Sequence, residues 1–376
     1  MSSDAAPKRS LREATRRSLT FTGAPLLWGL AVAVFLALFV GGFAVWACGF
    51  RPPAGPPTDG LDSTLSVVGT VLPGALVTAF VVIAGLVVPK EKSAAAVIGA
   101  SVFMLLAIFI AWSTLGSPVW SGVAMAAIMG LAALAVRQAV AFLAVGMVLS
   151  TGYFLFGVAG LARGLSGGQA LLIGLVGAGA GIAMLLVLSI IRRATGFRMI
   201  KPPPSKPAAA RQKKPKVGWF APGPVLRYAM LRAVLLGVAV GFYAATGDHN
   251  LFWVLLTIWI VLQPEQDNTF DKAVRRVSGV MLGCLVLGGL SQVVPAGVVL
   301  IIAVAAMFVG TLFYARSYAI FSAGISFLVV ALFGSADNNT FVHWAGLRIV
   351  DTIIGVVIAI VAYQLVLALP DRRKAT

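Results

Sequence analysis

The sequence has little of what a soluble protein keeps on its outside. Only 11% of its 376 residues are charged and 60% are hydrophobic, whereas an ordinary soluble domain is roughly 25% charged. A chain of this length cannot turn so much apolar surface inward and still wet its exterior. A water-soluble enzyme or binding module is thereby excluded, and lipid must cover much of the surface. Acidic residues are scarcest, 12 against 29 Lys and Arg, for a net charge of +17. The two cysteines, Cys48 and Cys284, and the two histidines, His249 and His343, have no metal-ligand spacing and give no disulfide framework. Hydrolytic and metal sites need clusters of His, Cys, Asp or Glu, and no H-E-x-x-H, Walker A or G-x-S-x-G arrangement occurs. No metal, cofactor or catalytic group is expected, and the chain does not read as an enzyme. Residues 165–169, LSGGQ, copy the signature of ATP-binding-cassette ATPases. They lie in a short loop with no Walker A anywhere, so an ATPase reading fails. Any energy source is then an ion gradient, a partner, or none at all.

What is present is a series of long apolar runs. Twelve can be drawn, at 26–50, 65–88, 94–113, 118–136, 138–161, 169–191, 225–246, 249–264, 277–294, 296–315, 318–334 and 345–369. A spanning helix needs about 20 such residues, and hydrocarbon leaves any unpaired backbone group unsatisfied, so each run is predicted helical. The eighth is short. A β-barrel would need strands of about 10 residues with alternating polarity, and Leu26–Val45 does not alternate. With the N-terminus in the cytoplasm and sides alternating, all but Arg51, Arg163 and Arg348 of the 29 basic residues fall on or beside cytoplasmic segments. That is the positive-inside pattern. It accounts for the charge without a nucleic-acid partner and puts both termini in the cytoplasm. The basic head Lys8, Arg9, Arg12, Arg16 and Arg17 precedes an apolar run of about 25 residues, longer than the 7–15 of a cleaved signal, so the first run is expected to be a retained span.

Residues 192–224 are basic, Pro-rich and unpatterned, and read as a solvated linker that anchors topology and could also meet anionic headgroups. The expected organisation is a basic N-terminus (1–25), a first six-helix half (26–191), the linker (192–224), a second six-helix half (225–369) and a short tail (370–376). Matches between the halves recur about 180 residues apart: Gly99 with Gly279, Arg137 and Phe142 with Arg316 and Phe321, Gly174 with Gly355. An even number of helices per half implies a parallel repeat with its pseudo-twofold axis along the membrane normal, a design common in transporters.

Polar residues inside the apolar runs are the candidate site. Across 248–283, His249, Trp253 and Thr257 share one helical stripe running toward Pro264, with Gln263 adjacent, and Arg275 and Arg276 open the next helix. An aromatic wall leading to two guanidiniums suits a planar organic anion. The same residues also read as an interfacial tryptophan belt with arginines anchoring the cytoplasmic edge. In the last run, Arg348 and Asp351 share a face at i,i+3. They read equally as a structural ion pair or as a proton or substrate site. Gly177-x-x-x-Gly181, Gly237-x-x-x-Gly241 and Gly279-x-x-x-Gly283 are small-residue packing motifs, and Pro73 interrupts the second run.

Three motifs in order then carry a resemblance: HNLFWVLLTIWIVLQP, TFDKAVRRVSGVMLG and LRIVDTIIGVVIA, following RYAMLRAVLLGVAVGFY. Over about 225–369 the chain resembles the fusaric acid resistance and aromatic acid exporter family of membrane proteins. Trp253, Thr257, Gln263, Pro264, Arg276, Gly279, Arg348, Asp351 and Gly355 are the matching positions. Ala95 and Ala96 stand where the repeat would place Arg275 and Arg276, and Val280 replaces the family's threonine. The resemblance implies a multi-pass protein of the bacterial inner membrane that exports aromatic or amphipathic organic acids, in some members with a periplasmic adaptor protein. Homodimerisation is compatible with the family and with the small-residue faces. Proton coupling through Asp351 or His249 would complete a secondary exporter. A passive organic-anion channel and a non-transport envelope scaffold are the alternatives.

Overall fold

A chain this apolar has to close its backbone hydrogen bonds within each segment. In the computed structural model it does so in twelve helices among the described residues, which are 24–50, 60–88, 90–135, 140–158, 165–195, 218, 220, 223–262, 269–336 and 340–368. They are α1 (Trp28–Ala47), α2 (Gly60–Val87), α3 (Lys90–Thr114), α4 (Pro118–Leu134), α5 (Val140–Tyr153), α6 (Gly167–Thr195), α7 (Pro224–Thr246), α8 (His249–Val261), α9 (Thr269–Leu290), α10 (Ala296–Phe313), α11 (Tyr318–Ala336) and α12 (Phe341–Ala368). Nine are long and apolar enough to cross a membrane; α4, α5 with its extension and α8 are apolar but shorter. The protein is an all-helical, polytopic membrane protein. The basic N-terminus before residue 24, the linker core 196–217 and the tail lie outside the described residues, as does Gln263.

Helix ends depart from the apolar runs where hydrogen bonding outlasts hydropathy. α9 begins at Thr269, ahead of the apolar run at 277, because TFDKAVRR is polar yet helical, with Asp271 in the first turn where the helix dipole favours an acid. α8 stops at Val261, before Pro264, whose ring disfavours helical backbone just ahead of it. α7 ends on Gly247 at φ 67°, a left-handed cap that suits glycine. LSGGQ turns out to be a helix start. The Ser166 amide donates to Gln169 Oε1 at 3.0 Å and the Gln169 amide to Ser166 Oγ at 3.2 Å, a reciprocal capping box for α6.

The chain divides into two compact units, a larger one of residues 28–266 with 361–376 and a smaller one of 267–360 with 1–27. The division falls after α8 and not in the linker because α7 packs along α4, deep in the first half of the sequence. Their crossing is glycine-made: a Cβ on Gly122 would lie 2.7 Å from the Gly237 carbonyl oxygen. Elsewhere in the larger unit α1, α2 and α6 meet around Thr78. Its hydroxyl lies 2.7 Å from the Gly177 carbonyl oxygen and 2.9 Å from that of Gly74, and Gly41 and Gly177 have no room for a Cβ. In the smaller unit, Val280, Cys284 and Leu287 of α9, Val299 and Ala303 of α10, Phe327 and Val330 of α11, and Phe341 and Ala345 of α12 form one core. The two sets of helices share a packing order: α5 lies against α3 and α4, and α11 lies against α9 and α10.

The outward faces are apolar. Phe39, Phe43, Leu285, Ile301 and Val357 are all more than half exposed, as expected of helices apolar all round that meet lipid. Lipid gives apolar side chains no reason to leave it, so association rests on close packing of small residues. Gly237→Leu should therefore cost about 1–3 kcal/mol of stability through overpacking, since its Cβ would already lie 2.7 Å from Ala126. Gly179→Ala, which faces open space, should cost nothing. Thermal unfolding in detergent compares the two.

Candidate functional site

On α9, Ala273, Arg276, Val280, Cys284 and Leu287 recur at three- and four-residue spacing and are all buried. Arg276 stands in that stripe, so the helix carries its guanidinium inward, to 0% exposure. Arg275, one residue back and about 100° around the axis, is only partly buried. The two arginines therefore do not act side by side. Arg276 Nη1 donates to Ser322 Oγ of α11 at 3.0 Å, and Tyr318 of α11 is also in electrostatic contact with the guanidinium. Gly279, one turn on, makes this reach short: a Cβ there would lie 2.7 Å from the Ser322 Cβ. The glycine lets the two backbones close, and closure delivers the serine. Arg276 Nε and Nη2 have no hydrogen-bond partner among the described residues.

The second cation comes from α12. Arg348 (1% exposed) and Asp351 (6% exposed) lie on its buried side with Thr352, whose hydroxyl donates to the Arg348 carbonyl at 2.7 Å. Arg348 is within electrostatic reach of Arg276, Cys284 and Asp351. Arg276 and Arg348 each sit about 10 Å along their helices at ~1.5 Å per residue, and α9 and α12, three spans apart, run in opposite directions. Inside the smaller unit the two arginines come within electrostatic reach of each other. Burying charge in this way is expensive. Two guanidiniums near each other, one of them beside a carboxylate, with the hydroxyls of Ser322 and Tyr318, make a cluster whose chemistry suits an anion.

The other sequence-derived candidates lie in the larger unit. Trp253 and Thr257 of α8 are buried, but the Thr257 hydroxyl donates to the Trp253 carbonyl of its own helix at 3.0 Å. Trp253 packs edge-on against Phe252 with ring centroids 4.6 Å apart, and Trp259 stacks on Phe154 at 4.8 Å. These rings belong to a packed aromatic cluster. His249 opens α8, and its side chain, like Gln263, lies outside what is described. Sequence reasoning missed Ser322, Tyr318 and Cys284, which no motif marks, and Arg232. The last was counted among edge cations but is 1% exposed within α7, its Nη1 donating to the Met129 carbonyl at 3.3 Å.

Arg348 and Asp351 should couple strongly. Arg348→Gln or Asp351→Asn alone should destabilise more than both together, because a single change leaves one buried charge uncompensated. A double-mutant cycle on unfolding temperature in nanodiscs measures this. Additive effects would refute the pairing.

No curated protein and no solved structure gives a significant match to the chain. Residues 231–362, from early α7 to late α12, match the model of the family described as fusaric acid resistance protein-like. The matched range contains the whole Arg276, Ser322, Arg348 and Asp351 constellation, and α7 to α12 thus carry a fusaric acid resistance protein-like domain.

Proposed function

We propose that this protein is a secondary transporter of the bacterial inner membrane that exports small aromatic or amphipathic organic acids. The observation that carries the reading is the burial of Arg276 and Arg348 within electrostatic reach of each other, with Ser322 and Tyr318 alongside. Burying two guanidiniums near each other is costly for a purely structural element. The arrangement is useful if a carboxylate substrate supplies the second negative charge. Asp351, inside the same field, is the group that would exchange a proton as substrate comes and goes. The fusaric acid resistance protein-like match over 231–362 supports the same class of activity.

In this reading the twelve helices form two six-helix halves in parallel repeat, with both termini in the cytoplasm. The shared order of α3, α4 and α5 with α9, α10 and α11 supports the repeat. The 13-residue α8 spans only about 20 Å at ~1.5 Å per residue, which fits the broken helices found at transporter midplanes.

Two measurements test this. Proteoliposomes with an imposed pH gradient should move a substituted benzoate, and Arg276→Gln should lower that flux at least tenfold while the protein still folds. No movement of any organic acid under any gradient would end the transporter reading, and flux indifferent to the gradient would make it a channel. For topology, Cys48 is exposed and Cys284 buried. An impermeant maleimide should label Cys48 from the periplasmic side and leave Cys284 unmodified; labelling of Cys48 only from the cytoplasmic side would invert the assignment.

A further inference from the structure

The larger unit contains a cleft of about 670 Å³ where α3, α5 and α7 end and α4 and α6 begin. This volume is in the range of small-molecule sites. Its walls include the rings of Trp112, Tyr153 and Tyr243 and the hydroxyls of Thr114, Ser117 and Ser121. None of its described lining residues carries a charge.

Local structure gives the cleft its shape. After Tyr153, α5 relaxes into a π-helical turn, Phe154–Val158, which brings Gly157 and Val158 onto the wall. Such turns are often found at functional sites. Gly116, at φ 100°, makes the tight link from α3 to α4. The LSGGQ segment contributes too: Leu165 lines the cleft, and Gly167 seats the Trp112 ring where a Cβ would lie 2.5 Å from it.

The hydrogen bonds specify what the cleft can recognise. Thr114 Oγ1 donates to the Ile110 carbonyl at 2.9 Å, Ser121 Oγ to the Thr114 carbonyl at 2.9 Å, and Tyr153 Oη to the Ser121 carbonyl at 3.0 Å. The Tyr153 and Thr114 oxygens also touch at 3.1 Å. Thr114, Ser121 and Tyr153 each have a backbone carbonyl to take their proton, which leaves their oxygens able to accept from a ligand. A carboxylate finds no cation among the described lining residues, whereas an O–H or N–H on a flat ring finds acceptors beside aromatic faces.

We propose that this cleft binds an uncharged aromatic molecule carrying a hydrogen-bond donor, of the phenol or aryl-amide type. The site is separate from the arginine pair and does not rest on the transport reading. The test titrates the full-length protein in nanodiscs with 4-hydroxybenzamide, following Trp112 fluorescence as the difference between wild type and Trp112→Phe. Saturable binding is expected, at least tenfold tighter than for benzoate or benzylammonium. Gly157→Leu, where a Cβ meets only contacts of 3.4 Å, should fill the cleft and abolish binding. Tyr153→Phe should weaken it at least fivefold, and Arg276→Gln should leave it unchanged. Absence of saturable binding, equal or tighter binding of benzoate or benzylammonium, or full affinity in both cleft variants would overturn the proposal. If Gly157→Leu fails to fold, Tyr153→Phe decides alone.

Discussion

Helices in lipid gain almost nothing by burying apolar side chains against one another, because the solvent they leave is equally apolar. What remains is contact, and contact requires backbones to come close. This protein meets that constraint with glycine, alanine and serine at each principal crossing: Gly122 against Gly237, Gly177 against Gly74, Gly279 against Ser322. Many bulky residues stay outside, where lipid takes them. The crossings themselves are consequently built of small side chains, with a few polar ones among them. The candidate anion site is a product of this economy, since the small residue at 279 is what brings a serine within reach of a guanidinium.

Three arginines lie fully inside spans, Arg232, Arg276 and Arg348. They are handled differently. Arg232 hydrogen-bonds a backbone carbonyl across a helix contact, which ties α7 to α4. Arg276 uses a side-chain hydroxyl and stands near a second cation. A cation tied to a carbonyl is a strut. Two cations kept near each other at depth repel, and that repulsion disappears when an anion comes between them. That difference, and not arginine content, separates a structural position from a candidate binding position.

Much of this was legible in the sequence because hydropathy and the bilayer share a length scale. All twelve runs correspond to helices, and the largest shifts, at the starts of α2 and α9, come from polar residues continuing a helix past its apolar part. Arg348 and Asp351 were legible because charges deep in an apolar run must face inward. Arg276 was half legible: the motif marked it, but pairing it with Arg275 overlooked the 100° between neighbours on a helix. Ser322 and Tyr318 were illegible, because hydroxyls in a membrane helix are common and only the three-dimensional contact singles these out. LSGGQ shows the reverse error. Five residues that name an ATPase elsewhere are here the first turn of a helix, since serine and glutamine three apart cap any helix they begin.

The position of the arginine pair has a consequence for voltage. A charge crossing a membrane works against or with about 2.3 kcal/mol per 100 mV. Were the pair to bind the proposed substrate, a monovalent anion leaving a cell whose interior is negative would take part of that energy on reaching the arginines and the rest on leaving them. The first part would favour filling from the cytoplasm, and the second would oppose refilling from outside.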